Sequence, residues 1–121
     1  MKLLIVDDSS VMRRTIERHL ADYEIDIVGM AANGLEALNL VKTKQPDVVS
    51  LDITMPEMDG LECLTRIKRA APETKVMIIT ALSDKLTGLQ ALDRGARGYL
   101  FKPVRPNELK EAFDKLLSRP H

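Results

Sequence analysis

The 121-residue sequence contains a single cysteine, Cys63. It has no partner in the chain for a disulfide, and a cysteine-based metal site is excluded. Charge of one sign is not in excess either: 18 Lys and Arg balance 18 Asp and Glu. A chain at net zero gives no electrostatic reason to expect nucleic acid or a membrane as the main partner. Long apolar runs are missing, and none approaches the roughly 18 residues of a membrane span. Lys2 is followed by four apolar residues before Asp7 and Asp8, which is not the pattern of a signal peptide. The phosphate-cradling loops GxxxxGK[ST] and GxGxxG are absent, so nothing supports a nucleotide or dinucleotide site. Internal repeats, low-complexity stretches and linkers are absent as well. These absences point to one domain over residues 1–121 in a reducing cytoplasm.

What is present is an alternation. Leu3-Leu4-Ile5-Val6 is a continuous apolar run, the mark of a strand covered on both faces. Ser9 or Ser10 can cap a following helix that places Val11, Met12, Thr15, Ile16, His19 and Leu20 at helical spacing. Ile25, Ile27 and Val28 mark a second strand ending near Gly29, and Asn33-Gly34 reads as a turn. Leu35, Leu38 and Val41 then step along a second helix that Pro46 closes. Val48-Val49-Ser50-Leu51 is a third strand. Leu61, Leu64 and Ile67 share a face of a third helix, with Cys63 on or near it as a small core residue. Val76-Met77-Ile78-Ile79 is a fourth strand. Ser83 opens a helix with Leu86, Leu89 and Leu92 that stops at Gly95, a C-terminal cap residue. Tyr99-Leu100-Phe101 is a fifth strand. A last helix from Pro106 or Asn107 carries Leu109, Ala112, Phe113, Leu116 and Leu117 on one stripe. Five strands alternating with five helices predict an α/β fold with a parallel sheet, because helical crossovers are what parallel strands need.

The strand ends then carry the chemistry. Asp7 and Asp8 end the first strand, Asp52 the third, Thr80 the fourth and Lys102 the fifth. In an open parallel sheet these ends share one edge, where ligands bind. Two carboxylates ~4 Å apart repel by about 4 kcal/mol at an effective dielectric near 20, and three would be worse. Lys102 offsets one charge. A divalent cation offsets the rest, and an all-oxygen donor set suits a hard ion such as Mg2+. Carboxylate, cation, lysine and hydroxyl together suit phosphoryl transfer, in which a carboxylate attacks phosphorus and forms an acyl phosphate.

The segments Leu4-Ile5-Val6-Asp7-Asp8-Ser9, Leu51-Asp52-Ile53-Thr54-Met55-Pro56-Glu57-Met58-Asp59-Gly60, Thr80-Ala81 and Gly98-Tyr99-Leu100-Phe101-Lys102-Pro103 resemble the receiver domain of two-component response regulators, most of all the free-standing chemotaxis type. The resemblance spans essentially the whole chain. It implies a flavodoxin-like (βα)5 three-layer sandwich with a central five-stranded sheet of order 2-1-3-4-5. It further implies that Asp52 is phosphorylated by a sensor histidine kinase. Asp8 would ligate Mg2+ directly and Asp7 largely through water, with Asp52 and the Thr54 carbonyl completing the protein ligands. Thr80 and Lys102 would hold the phosphoryl oxygens, Thr80 and Tyr99 would form a switch, and Lys102-Pro103 would be cis. The resemblance also implies that Thr54 and Leu82 tune phosphate lifetime; the apolar Leu82 cannot position an attacking water by hydrogen bonding, so spontaneous loss is not expected to be fast.

The output implied is protein contact, with a flagellar motor or another effector, through the fourth helix, fifth strand and fifth helix. Leu86, Leu89, Gln90, Arg94, Arg97 and Tyr99 give that face a mixed apolar and basic character. His19 reads as structural, and Arg13, Arg14 and Arg18 as a solvated basic strip. Two alternatives stand beside this reading. One is a receiver cut from a longer DNA-binding regulator, for which Pro120 would begin a linker. The other is a Mg2+-dependent aspartyl-phosphate phosphatase, disfavoured because Asp52-Ile53-Thr54 lacks an acid two residues past the nucleophile.

Overall fold

The structure, a computed structural model, describes residues 1–55, 58–81 and 85–117. The chain runs β1 (Lys2–Val6), α1 (Ser10–His19), β2 (Asp26–Ala31), α2 (Gly34–Lys44), β3 (Val48–Leu51), α3 (Gly60–Ala70), β4 (Lys75–Thr80), α4 (Lys85–Asp93), β5 (Gly98–Phe101) and α5 (Pro106–Leu117). All strand pairs are parallel, in the order β2-β1-β3-β4-β5. This is the expected flavodoxin-like order. No helix of the described residues is long and apolar enough to cross a membrane.

The apolar runs are continuous because both sheet faces are covered. Successive side chains of a strand point to opposite faces. Leu4, Val6, Val49, Leu51, Val76 and Ile78 pack with Ala37, Val41, Cys63, Leu64, Ile67 and Ala91 from α2, α3 and α4. Leu3, Ile5, Val48, Met77 and Ile79 pack on the other face with Ile16 and Leu20 of the α1 region and with Leu109, Phe113 and Leu116 of α5. The result is a three-layer sandwich with two apolar half-cores.

Local chemistry sets the element ends. Ser9, of the two serine candidates, caps α1: its side chain accepts from the Met12 amide. Asn33 does the same for α2 by accepting from Glu36, whose carboxylate reaches back to the Ala32 amide. Asn33-Gly34 is thus a helix start and not a free turn. Gly95, at φ +107°, closes α4: its amide donates to the Leu92 carbonyl and the Ala96 amide to the Ala91 carbonyl.

Other departures from the sequence reading have physical causes. β2 runs on to Ala31 because the register shifts between Leu3 and Leu4 of β1, leaving Val28 without a β1 partner before Gly29 pairs with Leu4. The outward turn of Leu35 and Val11 shows that the α2 stripe is Ala37, Leu38, Leu40 and Val41, and that α1 buries Ile16. Leu86, Leu89 and Leu92 of α4 are exposed, and Ala91 is its buried residue. Ser83 as a helix opener, Leu82, Pro56, Glu57, Pro120 and the Leu117 side chain fall outside the described residues.

Two glycines of similar appearance carry opposite expectations. A Cβ at Gly60 would lie 2.1 Å from the Ile53 Cα, a backbone atom that cannot swing away. At Gly88, inside α4, a Cβ would meet the Tyr99 ring at 3.7 Å, an ordinary contact. Gly60→Ala is expected to lose at least about 2 kcal/mol in denaturant unfolding. Gly88→Ala is expected to gain about 0.5–1 kcal/mol from helix propensity. Equal effects would contradict the packing of α3 against the Ile53 backbone.

Burial pushes the Cys63 thiol up to about 11, with Arg66 opposing weakly. A thiol-specific reagent at pH 8 is expected to label the native protein about a hundredfold more slowly than the unfolded chain. Fast native labelling, followed by mass spectrometry, would show that α3 does not keep Cys63 against the sheet.

Candidate functional site

The ends of four strands converge at one edge, and at three of them, β1, β3 and β5, a backbone hydrogen bond continues the sheet one residue beyond the strand. The Asp7 amide donates to the Ala31 carbonyl at 3.0 Å, and the Asp52 amide to the Val6 carbonyl at 3.0 Å. The Lys102 amide donates to the Thr80 carbonyl at 2.8 Å. Sheet register thus carries these residues to the same rim with their backbones already ordered.

Asp7 and Asp52 are both at most 2% exposed, and Thr80 is fully buried. The Lys102 ammonium spans the two acids, 2.8 Å from Asp7 Oδ2 and 2.9 Å from Asp52 Oδ2. The contact with Asp52 is a hydrogen bond, whereas that with Asp7 is an ion pair whose angles leave Asp7 Oδ2 without a hydrogen-bond donor. Asp7 Oδ1 accepts from the Ser9 amide at 2.9 Å. Asp52 Oδ1 accepts twice from Thr54, from the amide at 2.9 Å and the hydroxyl at 2.7 Å. Asp8 is exposed, and carboxylate oxygens of Asp7, Asp8 and Asp52 all lie within 4.8 Å of one another.

These environments drive the two buried acids apart. Burial dominates at Asp7 and raises its carboxyl above the usual range, against the opposing pull of Lys102 and Ser9. Burial is also the largest single influence on Asp52, but the Thr54 donors and Lys102 together bring its carboxyl below the ordinary value. Burial alone would lower Lys102, yet the two carboxylates raise it. The stability consequences have opposite signs. Asp52 contributes stability that is present above its unfolded value and lost as pH falls through its depressed one. Asp7 is the reverse: its ionised form is disfavoured in the fold, so acidification toward its raised value relieves a cost.

The register places the remaining residues. Thr80 pairs with Phe101 and Ile78 with Tyr99, so Thr80 and Tyr99 lie one step apart on the face that α4 covers. The half-buried Tyr99 ring meets Phe101 edge-on, with centroids 5.2 Å apart, and lies beside Gly88. The Lys102-Pro103 bond is cis. His19 lies on α1, away from this edge.

Two contacts had no signal in the sequence. Besides the carbonyl that the resemblance points to, Thr54 offers its amide and its hydroxyl, and both donate to Asp52. Arg13, read as part of a solvated strip, is half-buried and donates through Nη1 to the Asp7 backbone carbonyl. The offset from Asp7 to Arg13 crosses a strand end, a cap and a helix turn, and no residue pattern marks such a contact.

Lys102→Met keeps most of the stem and removes the ammonium from two buried carboxylates. It is expected to destabilise the metal-free protein by about 3 kcal/mol at neutral pH, read by denaturant unfolding. The loss is expected to shrink as pH falls and the acids protonate; a pH-independent loss would assign it to packing of the stem alone.

Known proteins resemble this chain in sequence and in fold. The family model for the response regulator receiver domain matches residues 3–114. A chemotaxis protein CheY of Listeria monocytogenes is 41% identical over 115 residues, covering 95% of this chain and 97% of that protein. An uncharacterized transcriptional regulatory protein of Bacillus subtilis, YhcZ, is 38% identical over 110 residues, covering 90% of this chain but 51% of that protein. Among solved structures, a CheX-CheY-BeF3-Mg2+ complex from Borrelia burgdorferi superimposes with a TM-score of 0.95 at 30% identity, over 98% of this chain and 90% of that one. With the family model, these relatives and the fold in agreement, the chain belongs to the response regulator receiver domain family.

Proposed function

We propose that the chain is a phosphorylation-activated signalling switch in which Asp52 accepts a phosphoryl group from a sensor histidine kinase. The observation that carries this reading is the pair of buried carboxylates bridged by Lys102 at a rim that also holds Asp8 and Thr80. Thr54 and Lys102 keep Asp52 ionised at neutral pH, so a carboxylate and not a neutral acid meets the donor. An Asp52 oxygen attacks phosphorus, the phosphorus–nitrogen bond of the phosphohistidine breaks, and the imidazole leaves with the bonding pair. The product is an acyl phosphate on Asp52. The Lys102 ammonium, already beside Asp52, neutralises charge on the transferring oxygens, and the Thr80 hydroxyl donates to one of them.

The residues fit a Mg2+ cofactor. Asp7 Oδ2 is buried and has no hydrogen-bond donor, and three acidic side chains stand against one lysine. Asp8 would bind the ion directly, Asp7 largely through water, and Asp52 and the Thr54 carbonyl would complete the protein's share. When bound, Mg2+ supplies charge stabilisation of the phosphoryl oxygens and screens Asp52 from its acidic neighbours.

Thr80 and Tyr99 form the switch of this reading. A shift of Thr80 toward the phosphoryl group frees space for the Tyr99 ring and alters the surface of α4, β5 and α5. That surface exposes Leu86, Leu89, Leu92 and Phe101, and a groove between β5 and α5 is lined by Arg97, Glu108, Glu111 and Lys115. It suits an effector protein, a flagellar motor component or another target, better than nucleic acid. The full reading is one receiver domain over residues 1–121, cytoplasmic, acting in chemotaxis, and without turnover of an external substrate. A second reading, a receiver belonging to a longer DNA-binding regulator, is favoured by the YhcZ match, which covers only half of that protein.

Mixing the protein with Mg2+ and acetyl phosphate and measuring intact mass tests the acceptor chemistry. One phosphoryl adduct is expected in the wild type. It is expected to disappear when Mg2+ is chelated and in Asp52→Asn. An adduct that persists in Asp52→Asn would remove Asp52 from its role.

A further inference from the structure

We infer that Arg13 is a positioning residue for metal binding: its guanidinium pins the Asp7–Asp8 peptide and thereby aims the Asp8 carboxylate at the acidic rim. The three acids of the rim are not held alike. Asp7 is fixed at its amide by Ala31, at Oδ1 by Ser9 and beside Oδ2 by Lys102. Asp52 is fixed at its amide by Val6 and at its carboxylate by Thr54 and Lys102. The Asp8 side chain has no hydrogen bond or ion pair with the described residues. Its direction is therefore set by its backbone, and the plane of the preceding peptide is the controlling feature. Nη1 of Arg13 donates to the carbonyl of that peptide.

This bond is an unusual use of an arginine. Glu36 lines the same cavity as Arg13, and Asp8 is close in the chain, yet Arg13 makes no ion pair among the described residues. It is spent on a neutral carbonyl. A guanidinium on a peptide oxygen is a charge-assisted bond, stronger than a neutral one. It comes from a helix locked by the Ser9 cap, so the donor itself is held in place. Partners that orient a ligand without touching the ion commonly change metal affinity 10–100-fold.

Electrostatics alone predicts the opposite sign. A positive charge next to a cation site weakens cation binding, so its removal should tighten it. Position and charge are therefore separable. The inference rests on reading Asp8 as a magnesium ligand. Mg2+ binding measured by calorimetric titration, with the Asp8 amide followed by NMR, decides it. Arg13→Ala and Arg13→Met, the second of which keeps an apolar stem to preserve the fold, are expected to bind Mg2+ about tenfold more weakly than the wild type. Both are expected to move the Asp8 amide resonance before any metal is added. Arg13→Lys, which retains a donor, is expected to fall between them and the wild type. Arg14→Ala removes an equal charge from the exposed neighbour and is expected to bind no more weakly than the wild type. Arg13→Met binding as tightly as the wild type, or more tightly, would overturn the role of Arg13 while leaving the magnesium reading intact. A wild type that does not bind Mg2+ would overturn both.

Discussion

One ammonium group holds the reactive edge of this protein together. Lys102 stands between two carboxylates that are almost wholly removed from water. Neither acid is tolerable there alone, because a buried unpaired charge is among the costliest features a fold can contain. The ammonium reaches both acids, but with different geometry. Its hydrogen bond goes to Asp52, and Asp7 is left with an ion pair and an oxygen lacking a donor. The two acids move in opposite directions although burial acts on both, because Asp52 also accepts twice from Thr54 whereas Asp7 accepts once from Ser9. Their chemistry differs accordingly: Asp52 is held as a carboxylate, whereas ionisation of Asp7 is disfavoured.

The sheet makes this arrangement possible. Parallel strands put all their carboxyl ends on one side, and the β1–β3 and β4–β5 registers bring Asp7 beside Asp52 and Lys102 beside Thr80. Both sheet faces are sealed by apolar side chains, so the strands have little freedom to slide without moving a half-core. Rigidity of the core is thus converted into accuracy at the rim. Gly60 shows how tightly the β3–α3 connection is folded, since α3 begins almost in contact with the Ile53 backbone.

The sequence made the strands of the core readable because burial on both faces leaves uninterrupted apolar runs. β1, β3 and β4 stand out for that reason, and so did the acids and the lysine that terminate strands. β2 was harder, since a bulge at Val28 and a glycine in mid-strand mimic a strand end. Leu35 and Val11 misled because leucine and valine on a helix are expected inward, yet the inward stripe of α2 is completed by an alanine. The contacts of Thr54 and Arg13 were illegible for a different reason. Thr54 meets the Asp52 carboxylate and Arg13 the Asp7 backbone carbonyl through loop or cap geometry, and no spacing rule encodes such a meeting. Membership of the family was carried by motifs at the rim, whereas the bonds that fine-tune the rim emerged only in three dimensions.

On the proposed reading, α4 is the element best suited to respond. Its apolar side chains face outward, and one alanine anchors it in the core. A glycine in its interior, at the point where the Tyr99 ring rests, lowers helix stability by about 1 kcal/mol relative to alanine. Elements with few buried contacts lie at the low end of local stability, and these are the ones that a modest perturbation can move. Tyr99 and Thr80 are neighbours on the same face of the sheet, one against α4 and the other at the acidic edge. A change of charge at Asp52 therefore has a short route outward through rigid strands to a weakly held helix. On the opposite face α5 is anchored more firmly, by Leu109, Phe113 and Leu116, all buried. The asymmetry in packing between the two faces directs the response to α4.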